Sequence, residues 1–165
     1  MIDMKITIAY YSRGGRTKAM AEKIAEGVRS VEGMQVGVFA IDELDLDFLA
    51  ASDAFIIGTP VYYASTVWQI KKWFDESRNI PLAGKLGAVF ATADYGQGGA
   101  ANALTTILTH MMVKGMVVYS GGGAYGQPII HQGAVALKDT LEKDSEMFPI
   151  FGKRIAQKEK DLFGK

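Results

Sequence analysis

The stretch from residue 6 to residue 28 constrains the fold more than any other part of the chain. An apolar, β-branched run at residues 5–11 ends abruptly in the loop Ser-Arg-Gly-Gly-Arg-Thr at residues 12–17. Beyond the loop, Met20, Ile24 and Val28 recur at every fourth position, which is typical of an amphipathic helix. The sequence therefore predicts a buried strand, a tight glycine-rich loop and a helix in direct succession.

This loop has the composition of an anion-binding site. Backbone N–H groups in the first turn of a helix lack intrahelical acceptors, and the helix dipole is positive at that end. The loop adds hydroxyl groups, two glycines and two arginines. A helix start of this kind binds phosphate. The loop alone leaves a simple turn with a helix cap as the alternative.

Composition excludes several other kinds of site. The 165 residues suggest a single domain, residues 1–165, and the 18 basic and 18 acidic side chains cancel, which argues against a nucleic-acid partner. There is no cysteine and there are only two histidines, so we expect neither disulfides nor a metal site. With no signal peptide and no apolar run long enough for a bilayer, we expect a cytoplasmic protein without membrane insertion.

Strand and helix patterns alternate along the rest of the chain. Further strands are predicted at residues 35–41, 53–58, 86–93 and 115–120, and an irregular segment at 121–133. Residues 42–51 suit a short helix, Ser65 is suited to cap the next helix, and Met111 and Met112 are expected in the core. The remainder from residue 134 is expected to be helical, with Pro149 in the first turn of a new helix. This alternation predicts an α/β fold with a parallel sheet.

Three unusual segments follow strands one, three and four, at residues 12–17, 59–63 and 92–99. Because the carboxyl ends of parallel strands lie at one edge of the sheet, these segments should meet there. The first offers hydroxyls, N–H groups and cations, and the other two offer aromatic rings and backbone amides. A ligand with a phosphate at one end and a flat, hydrogen-bonding ring at the other fits all three, and flavin mononucleotide (FMN) is such a molecule. Taken singly, each segment also suits an ordinary turn or a packing contact.

Together these segments resemble the flavodoxin-like family, and within it the WrbA-type NAD(P)H:quinone oxidoreductases. Residues 10–17 resemble the phosphate loop of the family, 58–63 its Gly-Thr-Pro loop and 92–99 its third, glycine-rich loop, while 141–156 are similar to its last helix. The resemblance implies a flavodoxin-like three-layer sandwich with a five-stranded parallel sheet of order 2-1-3-4-5. Residues 42–52 are shorter than the insertion that WrbA-type enzymes carry at this place.

Carried over position by position, the resemblance implies three groups of FMN-binding residues. The phosphate group would be held by Ser12, Arg13, Gly14, Gly15, Arg16 and Thr17. The ring would be flanked on one side by Pro60, Val61, Tyr62 and Tyr63. Its other edge would be contacted by Thr92, Ala93, Asp94, Tyr95, Gly96 and Gly98. The chemistry would belong to the flavin, so no catalytic side chain is expected. Tyr125 and His131 are candidates to face the substrate, with a plain surface position as the alternative for His131.

Two main functions fit these expectations. One is an FMN-dependent oxidoreductase that passes electrons from NADH or NADPH to a quinone-like small molecule. The other is a non-enzymatic electron carrier that serves a redox partner protein, and a flavin-free binding module is a third possibility. Because carriers of this family are usually strongly acidic, a neutral chain with a cationic first loop favours the enzyme. The resemblance also implies a homo-oligomer, either a dimer or a tetramer.

Overall fold

A computed structural model, which describes residues 3–164, has a central parallel sheet with helices on both faces. The strands are β1 (Met4–Tyr10), β2 (Met34–Ala40), β3 (Ala54–Pro60), β4 (Leu86–Ala93), β5 (Val117–Val118) and β6 (Ala134–Leu137). The helices are α1 (Arg16–Arg29), α2 (Leu46–Ala50), α3 (Trp68–Glu76), α4 (Ala100–Val113), α5 (Leu141–Ser145) and α6 (Met147–Phe163). The strand order is β2-β1-β3-β4-β5, as predicted.

The fifth position of the sheet differs from the prediction, because two short strands occupy it. β5 pairs with Leu86 and Gly87 at the start of β4, and β6 pairs with residues 90–93 at its end. The expected strand at 115–120 is therefore shorter, and the expectation of helix from residue 134 is wrong for Ala134–Leu137. β6 is only four residues long, so its pairing with β4 rather than its own pattern makes it a strand.

Each face of the sheet is covered by its own apolar core. On one face, α1 and α6 pack against the sheet and bury residues such as Ile24 and Phe151 completely. A Cβ atom at Gly152 would lie 2.1 Å from the carbonyl oxygen of Ile24, so α6 approaches α1 closely only because this residue is glycine. On the other face, α2, α3 and α4 cover Phe55 and Ile57. Every residue of β3 and β4 is buried, as expected for strands covered on both sides.

Two expectations about helices are wrong and one is confirmed. Ser65 does not cap α3, which begins at Trp68 after an extended Val67, because the backbone of Ser65 pairs with Tyr62 instead. Met111 is fully buried, but Met112 points away from the core and is largely exposed. Pro149 does lie in the first turn of α6, where its missing N–H is tolerated. Among the helices that the structure describes, none is both long and apolar enough to span a lipid bilayer.

Candidate cofactor site

The segments that follow β1, β3 and β4 line one open cleft of about 950 Å³ at the carboxyl edge of the sheet. All of the predicted binding residues line it except Gly15 and Gly96. Ala64 also lines it and was missed, because a small apolar residue in a turn carries no sequence signal. The residues that line the cleft are Ser12, Arg13, Gly14, Arg16, Thr17, Pro60, Val61, Tyr62, Tyr63, Ala64, Thr92, Ala93, Asp94, Tyr95 and Gly98.

One end of the cleft is built by the start of α1. Gly15 precedes the helix in a left-handed conformation with a φ of 96°, which favours glycine, and its N–H donates to Ser12 Oγ at 3.1 Å. Among the described residues, no side chain caps the first turn of α1, and that turn holds no acidic residue. Its N–H groups are therefore available to an anion, and the helix dipole favours negative charge there.

Thr17 ties the first segment to the third. Its side chain is buried, and its hydroxyl lies 2.7 Å from the hydroxyl of Thr92 at the end of β4. The hydrogen bond joins residues that are 75 positions apart in the chain. The N-terminus of α1 is therefore held in place against the strand that carries the third segment.

An ion pair makes a second connection between these segments. Arg16 Nη2 donates to Asp94 Oδ1 at 2.5 Å. The hydrogen bond from Arg16 lowers the pKa of Asp94, since it stabilises the ionised carboxylate. The second terminal nitrogen of Arg16, Nη1, is shielded from solvent and has no hydrogen-bond partner in the described part of the chain. A buried donor without an acceptor costs about 1–3 kcal/mol, so an additional acceptor at this atom would stabilise the arrangement.

The opposite wall of the cleft is a tight turn at the end of β3. Tyr62 and Ser65 exchange backbone hydrogen bonds of 3.0 and 3.1 Å, and the two residues between them are left-handed, with φ values of 49° at Tyr63 and 62° at Ala64. Non-glycine residues in this conformation are strained by about 1–3 kcal/mol each, and such strain is concentrated at functional sites. Asn102 of α4 holds the turn by donating from Nδ2 to the Ala64 carbonyl at 2.9 Å. Tyr63 is thereby presented fully to solvent.

The third wall is the glycine-rich segment after β4. Gly98 N donates to the Tyr95 carbonyl at 3.0 Å, which closes a turn and leaves the Tyr95 side chain mostly exposed. Gly99 then begins α4 in a left-handed conformation without a side-chain cap among the described residues. Exposed aromatic rings and backbone amides therefore lie on both sides of the cleft, as a flat, hydrogen-bonding ring requires.

Tyr125 and His131 do not lie at the cleft, contrary to the expectation that they face the substrate. The Tyr125 hydroxyl lies 3.4 Å from Lys158 Nζ on α6, and Lys158 Nζ lies 5.8 Å from the centre of the Tyr125 ring. His131 is exposed elsewhere in the same segment, which is the plain surface position given as its alternative. The physical reason is Arg154 of α6, whose guanidinium donates to carbonyl groups along residues 121–128 and holds the segment against α6.

Comparisons with known proteins agree with this geometry. A flavodoxin from Clostridium saccharobutylicum is 48% identical over 160 residues, which cover 97% of this chain and 100% of that protein. An NAD(P)H dehydrogenase (quinone) from Chromohalobacter salexigens is 28% identical over 200 residues, covering 97% of this chain and 99% of its own. The structure of a flavodoxin, WrbA-like protein from Agrobacterium tumefaciens superimposes with a TM-score of 0.79 at 27% identity and covers 96% of this chain and 98% of its own. The flavodoxin family model matches residues 8–146, and the chain belongs to the flavodoxin family.

Proposed function

We propose that this chain binds FMN in the cleft and acts as an electron carrier of flavodoxin type. The observation that carries the proposal is the polarity of the cleft. At one end, a helix N-terminus without a side-chain cap lies beside an arginine nitrogen without a hydrogen-bond partner, both within the part of the chain that the structure describes. The other end is lined by exposed tyrosines and backbone amides. FMN has a matching shape, with a phosphate dianion at one end and a flat ring with polar edges at the other.

Different residues of the cleft would bind different parts of FMN. The N–H groups at the start of α1 and the side chains of Ser12 and Arg16 would hold the phosphate, while Thr17 keeps the start of α1 fixed to β4. The turn at Tyr62 and Tyr63 and the segment around Tyr95 would hold the ring between them. When bound, FMN supplies the electron-transfer chemistry, and the protein positions it and sets its electrostatic surroundings.

The relatives support the carrier over the enzyme. The chain shares 48% identity over nearly its full length with a flavodoxin, against 28% with a quinone dehydrogenase. The alignment with the dehydrogenase extends over 200 residues, more than the 165 of this chain, so the longer protein has insertions that are absent here. In this chain, a single helical turn and the short α2 lie between β2 and β3, where the sequence of a WrbA-type enzyme would be longer.

A WrbA-type NAD(P)H:quinone oxidoreductase is the second candidate, and one observation favours it. The chain has 18 basic and 18 acidic residues, and the cleft carries two arginines. A neutral protein with cations at its cofactor site is suited to attract a negatively charged nicotinamide dinucleotide rather than a basic partner protein. A quinone-like acceptor would reach the same open cleft.

The setting in which the chain works is also part of the proposal. We expect a cytoplasmic protein that forms a homo-oligomer, a dimer or a tetramer, since a neighbouring subunit could complete a cleft as open as this one. Light scattering of the protein with and without FMN measures the oligomeric state directly. A monomer in both conditions would contradict the expectation of an oligomer.

Titration of the apoprotein with FMN, followed by absorbance between 350 and 500 nm, tests the proposal. We expect stoichiometric binding, and we expect Thr17→Val to weaken it about tenfold because α1 loses its hydrogen bond to Thr92. Thr109→Val makes the same change on the exposed side of α4 and should leave FMN binding unaltered. A protein that remains colourless in excess FMN would overturn the cofactor assignment.

Anaerobic reduction of the FMN-loaded protein then separates the two candidates. A carrier is bleached by dithionite but not by NADH or NADPH. Bleaching by either nicotinamide within seconds, followed by reoxidation on addition of a quinone, would favour the enzyme instead.

A further inference from the structure

We propose that Arg16 makes this chain select a flavin that carries a phosphate, and that Asp94 positions Arg16 for this task. The inference rests on the proposed function, that the cleft binds FMN. It assigns different roles to Arg16 and Asp94, two of the charged side chains that line the cleft.

The guanidinium of Arg16 is only partly engaged by the rest of the protein. Nη2 donates to a single carboxylate oxygen of Asp94 at 2.5 Å. Nη1 is buried and finds no acceptor among residues 3–164. A guanidinium presents its donors in a fixed fork that suits two oxygens, so half of the fork remains for an oxygen of a ligand.

Arg16 also stands at the N-terminus of a helix. It is the first residue of α1, and Ala19 N makes the earliest helical hydrogen bond, to the Gly15 carbonyl at 2.9 Å. The N–H groups of residues 16–18 therefore precede the helical ladder and converge where Arg16 begins. A phosphate that accepts hydrogen bonds from these N–H groups lies beside the guanidinium. Riboflavin lacks the phosphate, so the guanidinium adds nothing to its affinity.

Asp94 has a different role from Arg16. Its carboxylate is ionised and can only accept hydrogen bonds, so toward a phosphate dianion it is repulsive. Its benefit is geometric: the Arg16 side chain is 37% exposed, and a long side chain that extends into solvent loses conformational entropy when it binds. The ion pair fixes that side chain before the ligand arrives. Asp94 is therefore a positioning residue and not a contact of the phosphate.

Dissociation constants for FMN and for riboflavin, measured by fluorescence quenching on the same set of variants, test the inference. Arg16→Gln should weaken FMN binding about 10- to 100-fold, the range for a charge-assisted hydrogen bond, and should change riboflavin binding less than about twofold. Lys23→Gln is the matched control, since Lys23 lies on the same helix beyond its first turn, is exposed and does not line the cleft. It should leave the ratio of the two constants unchanged.

Two substitutions of Asp94 separate positioning from charge. Asp94→Ala removes both the repulsion of the phosphate and the ion pair that fixes the Arg16 side chain. We expect this variant to bind FMN about three- to tenfold more weakly. Asp94→Asn keeps an oxygen for Nη2 without the negative charge, so it should bind FMN at least as tightly as the unaltered protein. The double variant Arg16→Gln, Asp94→Ala should be no weaker than Arg16→Gln alone, because Asp94 acts through Arg16.

The possible failures are distinguishable. If the unaltered protein binds neither flavin, the proposed function itself is overturned. If it binds FMN but Arg16→Gln weakens FMN and riboflavin alike, the selectivity assigned to Arg16 is wrong. If Asp94→Ala binds FMN as tightly as Asp94→Asn, or if the two losses multiply in the double variant, the positioning role of Asp94 is wrong. As an independent readout, 20 mM inorganic phosphate should raise the melting temperature of the apoprotein, and Arg16→Gln should abolish that rise.

Discussion

Gly99 is the residue that lets the strained turn at Tyr63 sit at the edge of the cleft. A Cβ atom at this position would lie 2.5 Å from the Cα and carbonyl oxygen of Ala64, and the residue has a φ of +100°. Both the space and the backbone conformation therefore require glycine. The start of α4 and the tip of the turn, which are both left-handed, can therefore pack together only when residue 99 is glycine.

We expect Gly99→Ala to destabilise the protein by about 2–4 kcal/mol, because strain at a positive φ adds to a backbone clash. Gly84→Ala is the control: Gly84 has a φ of +81°, but a Cβ atom there would meet nothing within 4 Å, so only the strain of about 1 kcal/mol remains. Urea unfolding of both variants measures the difference, and FMN binding should weaken in Gly99→Ala alone. Equal losses of stability would show that the contact with Ala64 does not matter.

Glu159 of α6 is a buried acid with no evident function in the cleft. Its side chain is fully buried, and neither carboxylate oxygen has a hydrogen-bond partner among the described residues. Burial, with a smaller contribution from the charge of Asp53, raises the pKa of Glu159 to about 8. The folded protein therefore holds this group protonated at pH values at which the unfolded chain has released the proton.

The direction of the pH effect follows from that difference. From the ordinary pKa of 4.5 up to about 8, the folded state binds one proton more than the unfolded state, so stability should fall as the pH rises. The slope from this group is about 1.4 kcal/mol per pH unit. Urea unfolding between pH 5 and pH 9 should show that Glu159→Gln gains stability relative to the unaltered protein as the pH rises. The exposed Glu142→Gln should follow the unaltered protein, and parallel curves for all three would contradict the prediction.

At the level of elements, one arginine organises the irregular segment that separates β5 from β6. The two terminal nitrogens of Arg154 lie between 2.9 and 3.4 Å from six backbone carbonyl oxygens of this segment, which share the four N–H groups of these nitrogens. Four glycines in the segment have positive φ values, at Gly121, Gly122, Gly126 and Gly133, and the first three help its carbonyl groups to turn toward one point. The segment is therefore ordered by α6 rather than by the sheet that it interrupts.

We expect Arg154→Ala to destabilise the protein by about 2–4 kcal/mol and to speed hydrogen exchange of the amides in residues 119–133. Arg154→Lys should recover less than half of the loss, because an ammonium cannot reach carbonyls in two directions. Lys153→Ala, at the exposed neighbouring position, should change neither measurement. FMN affinity should stay within about twofold in all three, since the segment does not line the cleft. Unchanged exchange in Arg154→Ala would refute the role of this arginine.

The elements that the sequence predicted well are those with a local cause. β1, β3 and β4 are apolar runs, and the segments that follow them are marked by glycine, hydroxyl and aromatic residues, so the cleft could be assembled from the parallel arrangement alone. The failures have non-local causes. β6 depends on the free edge of β4, and Ser65 has the side chain of a helix cap but is held by Tyr62. The position of Tyr125 is set by a hydrogen bond from Arg154, which is distant in the sequence. No residue near Tyr125 in the sequence indicated that contact.

At the scale of the whole molecule, the two apolar cores share one sheet. Buried residues alternate along the central strands β3 and β4 between the core under α1 and α6 and the core under α3 and α4, as Ile56 and Ile57 do in β3. Loss of one core would expose an entire face of the sheet to water. The two halves should therefore unfold together, which is what a single domain requires.

This expectation can be tested with Trp68→Phe, in which Trp73 is the one tryptophan left in a chain that has two. Trp73 packs edge-to-face on Phe55 at 5.3 Å and reports on the α3 side, while circular dichroism at 222 nm is dominated by all the helices. The two signals should give coincident urea transitions. FMN at 100 times its dissociation constant should raise the free energy of unfolding by about 2.7 kcal/mol and the melting temperature by about 5–10 °C, because it binds only the folded chain. Riboflavin at the same concentration should raise both the free energy of unfolding and the melting temperature less than FMN does. Separate transitions for the two signals would show that the faces of the sheet unfold independently and that the chain is not one cooperative domain.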